Sequence, residues 1–165
     1  MTVKSSEWPV KVYLNLDELA EAVKIRREAG ETIVLANGCF DFLHVGHVRY
    51  LKGASNEGQC LLVAINSDES VQSLKGSDRP IVPEGERAEI VASFGFVDMV
   101  YIFGQRDVGE IIRTIRPDVH AKGTDYTAES VPEAELVRSC GGRVAIVGDP
   151  KNHDSSQMIK KLGGC

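Results

Sequence analysis

Ile33-Val-Leu-Ala-Asn-Gly-Cys-Phe-Asp-Phe-Leu-His-Val-Gly-His47 is the stretch that decides the fold. Its apolar run ends at Asn37-Gly38, two histidines follow three residues apart around Gly46, and the amphipathic segment Val48-Arg-Tyr-Leu-Lys-Gly-Ala54 comes next. The pattern predicts a buried strand, a tight turn and a helix carrying both imidazoles on one face of its first turn. Helix N-termini expose unpaired N–H groups at the positive end of the macrodipole, so His44 and His47 sit where a phosphate is attracted. A zinc reading is weaker, because no Glu completes a His-Glu-x-x-His arrangement and no cysteine stands at ligand spacing.

Outward from this corner, strands and helices alternate. Residues 1–14 read as an arm, broken by Trp8-Pro9. Asn15-Leu16-Asp17 caps a helix through about Ala29, which Gly30 ends. The first strand is about Thr32–Ala36, and the helix after the histidines runs to about Asn56. Gln59–Ile65 is a second strand, whose unbroken apolar character suits a parallel sheet covered on both faces. Asn66-Ser-Asp68 ends it, a short helix follows to Leu74, and Lys75-Gly-Ser-Asp-Arg-Pro80 is a breaker-rich loop. A helix over 83–94, a strand at Met99–Phe103 and a helix at Val108–Ile115 come next. The strand Val119–Lys122 leads into Gly123-Thr-Asp-Tyr126, followed by a helix at Pro132–Cys140, a strand at Arg143–Val147 and a last helix at about Ser155–Leu162. The expected class is therefore α/β: a Rossmann-like, doubly wound, five-stranded parallel sheet with helices on both faces, in a single domain. Such sheets bind ligands beyond the strands' carboxyl ends, where all the polar clusters above fall.

Composition narrows the function. With 165 residues, 42% hydrophobic and 26% charged, and a net charge of −5 without long runs of one sign, the chain does not resemble a general nucleic-acid binder. Cys39, Cys60, Cys140 and Cys165 form no Cys-x-x-Cys pair, so reduced thiols in the cytoplasm are expected. No apolar stretch approaches the ~20 residues of a membrane span, so no membrane partner is expected.

Gly38-Cys-Phe-Asp-Phe-Leu-His-Val-Gly-His47 resembles the signature of the His-x-Gly-His nucleotidylyltransferases, which include the glycerol-3-phosphate, choline-phosphate and ethanolamine-phosphate cytidylyltransferases. Within that superfamily the chain is most similar to the adenylyltransferases acting on D-glycero-β-D-manno-heptose 1-phosphate. The likeness runs through Val63–Asp68, Leu74-Lys-Gly-x-x-Arg-Pro80, Glu86-Arg87, Pro117-Asp118, Lys122-Gly-x-Asp-Tyr126 and Ile159-Lys-Lys161, covering residues 31–162 in register.

The resemblance implies attack by a sugar-phosphate oxygen on the α-phosphorus of a nucleoside triphosphate, with pyrophosphate released. His44, His47 and Lys75 would be the catalytic cations and donors. Asn37, Gly38, Cys39, Phe40 and Asp41 would lie against the nucleotide, with Arg79, Arg87, Lys122, Gly123 and Asp125 reaching it from other strand ends. Ser155 and Ser156 would meet phosphate from the last helix. Mg²⁺ would ride on the phosphates, with Asp41 near it and no direct protein ligation assigned. Three departures stand out: Cys39 replaces the more usual Val or Thr, Thr124 stands where a second glycine is common, and Asp154 opens a run that is usually Ser/Thr. A cytidylyltransferase for glycerol 3-phosphate is the alternative, although that group carries Trp where Tyr126 stands. A non-catalytic nucleotide-binding protein is a further alternative, although His44, His47 and Lys75 are all present. Relatives often form homodimers. Where the heptose transferase is fused to a sugar kinase in some bacteria, this chain has room for the transferase alone, so any kinase is expected to be a separate protein.

Overall fold

The computed structural model describes residues 11–150 and Ile159. The rest of the N-terminal arm and of the expected last helix, including Asp154, Ser155 and Ser156, lies outside the described residues; Ile159 itself is helical.

The elements in order are β1 (Lys11–Tyr13), α1 (Leu16–Glu28), β2 (Ile33–Gly38), α2 (Val45–Ser55), β3 (Cys60–Asn66) and α3 (Asp68–Lys75). They continue with α4 (Glu84–Ala92), β4 (Met99–Phe103), α5 (Gly109–Ile115), β5 (Val119–Gly123), α6 (Ala134–Ser139) and β6 (Arg143–Val147). The sheet order is β1-β4-β3-β2-β5-β6, with every pairing parallel. From β2 the chain first winds outward through β3 to β4, then returns and places β5 on the other side of β2. That reversal makes the gap beyond β2 and β5 the switch point at which an open α/β sheet binds its ligand.

The α/β class and the parallel sheet agree with the sequence reading, but the strands number six rather than five. The additional strand is β1, which pairs with β4 in the register Val12↔Val100 and Tyr13↔Tyr101. Three residues are too few to display an alternation, so the neighbour completes the pairing rather than any local pattern.

The two faces follow from strand alternation. Val34, Ala36, Val63 and Ile65 point to one side, under Leu51 and Ala54 of α2 and Ala88, Val91 and Ala92 of α4. Ile33, Leu35, Leu62 and Ala64 point to the other, under Leu19 and Val23 of α1, Ile111, Ile112 and Ile115 of α5 and Val137 of α6. All seven residues of β3 are buried, as a central strand covered on both faces requires. The α1 N-terminus is capped by Asn15, whose Oδ1 accepts from the N–H groups of Asp17 (2.8 Å) and Glu18 (3.2 Å). One close approach shapes the site. A Cβ on Gly53 would lie 2.9 Å from the Gly148 nitrogen, and one on Gly148, at φ +89°, would lie 3.2 Å from Tyr50 Cα. The two glycines let the segment after β6 press against α2 and close one wall of the cleft. Among the described residues no helix is long and apolar enough to cross a membrane.

Candidate active site

A cavity of about 370 Å³ opens beyond the carboxyl ends of β2, β5 and β6. One wall is the turn from β2 into α2. Phe40 and Phe42 there adopt left-handed backbone (φ 49° and 56°), a conformation costing roughly 1 kcal/mol or more for each non-glycine residue. Asp41 stands between them and holds the turn. Its carboxylate, fully buried, accepts from Arg79 Nε (2.6 Å), the Ile81 N–H (3.0 Å) and the Val82 N–H (3.1 Å). Burial pushes this carboxyl upward, but the Val82 N–H, Arg79 and the Ile81 N–H together outweigh it and hold Asp41 below its ordinary value.

The histidines are arranged differently from a shared helix face. His44 is the N-cap of α2, with extended backbone (φ −141°, ψ 174°), and His47 occupies the third helical position. They cap reciprocally. His44 Nδ1 accepts from the Gly46 N–H (3.1 Å), while His47 Nδ1 accepts from the His44 N–H (3.2 Å). An accepting nitrogen carries no proton, so in this geometry each ring keeps its proton on Nε2. The fold thus prescribes the tautomer of two imidazoles whose centroids lie 4.0 Å apart. Phe40 backs His47 at 5.6 Å and stacks on Tyr50 at 6.4 Å. Tyr50, whose phenol burial pushes up, donates to the Ala121 carbonyl (2.9 Å) and accepts from the Asn37 N–H (3.3 Å), bridging β2 and β5.

A polar network covers the other side. Asn37 Oδ1 lies 3.0 Å from His120 Nε2 and 3.2 Å from Lys122 Nζ. With two donors on its oxygen, Asn37 keeps its Nδ2 donor for other partners. Burial, with Lys122 nearby, pushes His120 down to about 3, so it is neutral. Lys122 is lowered by burial despite Glu133 at 3.5 Å, and its ammonium lies 5.4 Å from the Tyr126 ring centroid. At the rim, Arg49 pairs with Asp149 (2.9 Å), whose carbonyl accepts from Thr124 Oγ1 (2.8 Å).

The cavity brings together His44, His47, Lys75 and the turn residues Asn37, Gly38, Cys39, Phe40 and Asp41, with Lys122, Gly123 and Asp125 opposite. Three expectations need correction. Lys75 is the last residue of α3 rather than part of a loop; it is exposed and forms no ion pair with a described residue. Arg79 and Arg87 do not line the cavity. Arg79 donates through Nε to Asp41, and Arg87, fully buried, gives its donors to the carbonyls of Val82, Cys39 and Asn66 and to Asp68. Asp41 has both oxygens committed to the protein, so it does not offer one to a metal. Ser155 and Ser156 lie outside the described residues. Among the described residues, no group of three or more His, Cys, Asp or Glu side chains is placed to hold a metal.

Arg49, Tyr50, Gly148 and Asp149 also line the cavity and were absent from the sequence reading of the site, and Thr124 and Tyr126, noted there only for how they depart from related patterns, line it too. Arg49 and Tyr50 lie one helical turn beyond Gly46 and His47, a spacing that could have flagged them. Gly148 and Asp149 follow β6 and fall under the same strand-end rule as the others.

A parallel sheet with a phosphate-suited helix N-terminus at its switch point, ringed by His, Lys and Asn donors, is the arrangement of a nucleotide-binding α/β domain. The chain belongs to the Cytidylyltransferase-like family, which matches residues 35–161. It is 46% identical over 148 residues to the bifunctional protein HldE of Geotalea uraniireducens (strain Rf4), covering 90% of this chain and 30% of that protein. It is 49% identical over 144 residues to the bifunctional protein HldE of Koribacter versatilis (strain Ellin345), covering 87% and 30%. The chain therefore spans about 30% of the length of these curated relatives. Among solved structures it is similar to the lipopolysaccharide core biosynthesis protein from Thermoplasma volcanium GSS1 (TM-score 0.61, 26% identity, 74% of this chain and 100% of the other).

Proposed function

We propose that this chain transfers the adenylyl group of ATP to D-glycero-β-D-manno-heptose 1-phosphate, giving ADP-heptose and pyrophosphate. The observation that carries the reading is the reciprocal cap of His44 and His47, which turns two Nε2–H donors into fixed parts of a helix N-terminus on the cavity. A phosphate oxygen of the sugar attacks the α-phosphorus, the bond to the β-phosphate oxygen breaks, and pyrophosphate leaves with that electron pair. Such chemistry asks for in-line placement and charge neutralisation more than for a protein nucleophile. His44 and His47 donate to oxygens on which negative charge grows, in a setting that needs no reorganisation at the moment of reaction. Lys75, exposed and without an ion-pair partner among the described residues, neutralises the departing phosphates. A divalent cation such as Mg²⁺ carried in with the nucleotide would add to this charge neutralisation, with no described residue assigned as its ligand. Asn37, Lys122, Gly123 and Asp125 bind and orient the nucleotide, and Ser155 and Ser156 meet phosphate.

The heptose substrate is supported by the pattern across residues 31–162 and by the likeness to proteins named for HldE and for lipopolysaccharide core biosynthesis. In this reading the enzyme works in the cytoplasm as a homodimer, for which light scattering would return twice the chain mass. The test of substrate is pyrophosphate release with ATP, CTP or GTP, each offered heptose 1-phosphate or glycerol 3-phosphate. Turnover is expected with ATP and heptose 1-phosphate. Turnover confined to CTP and glycerol 3-phosphate would overturn the proposal.

A further inference from the structure

Arg87 is a cation with no exposed surface, on the inner face of α4, and its guanidinium reaches four separate places in the chain. Nη1 donates to the carbonyl of Cys39 (2.5 Å), just past β2, and to that of Asn66 (2.8 Å), the last residue of β3. Nε donates to the Val82 carbonyl (2.8 Å), and Nη2 pairs with Asp68 Oδ1 (2.7 Å) at the start of α3. Burying a charge this completely is costly unless every donor is matched, and three of its four acceptors are carbonyls.

The Cys39 bond has a geometric consequence. The peptide joining Cys39 to Phe40 is planar and trans, so its C=O and N–H point in opposite directions. With the carbonyl drawn back onto Arg87, the Phe40 N–H points away from Arg87. Cys39 and Phe40 line the cavity and Arg87 does not. Phe40 holds a left-handed φ of 49°, a conformation that the bonds around the turn, those of Asp41 and of the Cys39 carbonyl, must sustain.

We infer that Arg87 is a positioning residue: by gripping the Cys39 carbonyl from behind the turn, it aims the Phe40 N–H at the phosphate being transferred. The inference rests on the proposal that a nucleoside triphosphate occupies this cavity. Arg87 does not touch substrate. Its action is to keep one backbone donor in the orientation in which charge developing on the α-phosphate can use it. Lysine cannot replace it, because an ammonium lacks the planar fork that reaches several carbonyls at once.

The test uses the full chain labelled with [15N]phenylalanine, whose five residues give a spectrum in which Phe40 can be assigned. Titration with ATP and Mg²⁺ is expected to move the Phe40 amide of the native protein downfield. In R87K the Phe40 amide should sit elsewhere and respond at most weakly, while calorimetry still detects ATP binding within about threefold of native. Turnover of R87K should fall about 10-fold or more with KM for ATP changed far less, since the donor matters most in the transition state. R87Q, which keeps a planar amide N–H for the carbonyl, should recover part of both the shift and the turnover. ATP binding with the Phe40 amide unmoved in the native protein, or an R87K variant keeping the native response and turnover, would overturn the inference alone. No binding heat and no shift in the native protein would overturn the nucleotide reading, and this inference with it. Should both variants fail to fold, the native titration decides: a Phe40 amide that moves supports the inference, and one that does not overturns it.

Discussion

In the proposed mechanism His44 and His47 each carry two separable tasks, and substitution can remove one while keeping the other. Each uses Nδ1 to accept a backbone N–H of the α2 cap, at 3.1 Å and 3.2 Å, and holds its ring proton on Nε2. His44→Asn places one of the strongest N-cap residues at the cap, so stability should change by no more than about 0.5 kcal/mol, whereas His44→Ala should lose about 1 kcal/mol. His47→Gln restores the residue that a capping box favours at the third position and should be similarly mild. None of the three retains an imidazole Nε2–H. Loss of one donor to a developing oxyanion costs about 100-fold in turnover, equivalent to about 2.7 kcal/mol of transition-state stabilisation. Urea denaturation should therefore separate H44N from H44A, while single-turnover pyrophosphate release should group them together, both at least ~100-fold down. His47→Ala should lose turnover on the same scale and still fold. H44N retaining turnover within about threefold of native would show that His44 is a cap and nothing more.

Two further outcomes follow from the same geometry. Asp41→Asn strips the charge from a fully buried carboxylate held by Arg79, and should cost about 3 kcal/mol in urea denaturation at neutral pH. The folded-state pKa of Asp41 lies below its unfolded value, so its contribution is present above the unfolded value of about 3.9 and is lost as pH falls through the folded one. The gap between native and D41N stability should thus shrink as pH drops below about 4, and a gap that widens there would contradict the assignment. Lys75→Gln removes an exposed cation without an ion-pair partner among the described residues, so melting should be unchanged while kcat/KM for ATP falls at least about 10-fold; an unaltered kcat/KM would return Lys75 to the solvated surface.

The parts legible in the sequence are those whose signal is local. β3 announces itself because seven consecutive residues are apolar or end the strand, and all seven are buried. The run 37–47 is compact enough that its turn, cap and histidines can be read together. Where partners come from distant segments, local reading falters. Asp41 looked like a neighbour of the metal because nothing nearby reveals that residues 79–82 fold back onto it. Lys122, Asn37 and Glu133 meet only because β5 lies beside β2, an adjacency set by sheet order. Arg87 was legible in part and was misread. Arg87, Ala88, Val91 and Ala92 recur at helical spacing as the buried face of α4, so periodicity puts the arginine inward. Its charge suggested a ligand, whereas its face pointed to backbone carbonyls.

In the proposed reaction a sugar-phosphate oxygen displaces pyrophosphate from the α-phosphorus of ATP within the cavity beyond β2 and β5. Paired reactions of heptose 1-phosphate with ATP labelled at the α- or the γ-phosphate test it most directly. The α-label should appear wholly in the sugar nucleotide and the γ-label wholly in pyrophosphate, with both signals falling together in H44N. Transfer of the γ-label to the sugar, or no transfer of either label with any nucleoside triphosphate offered, would rule this reaction out.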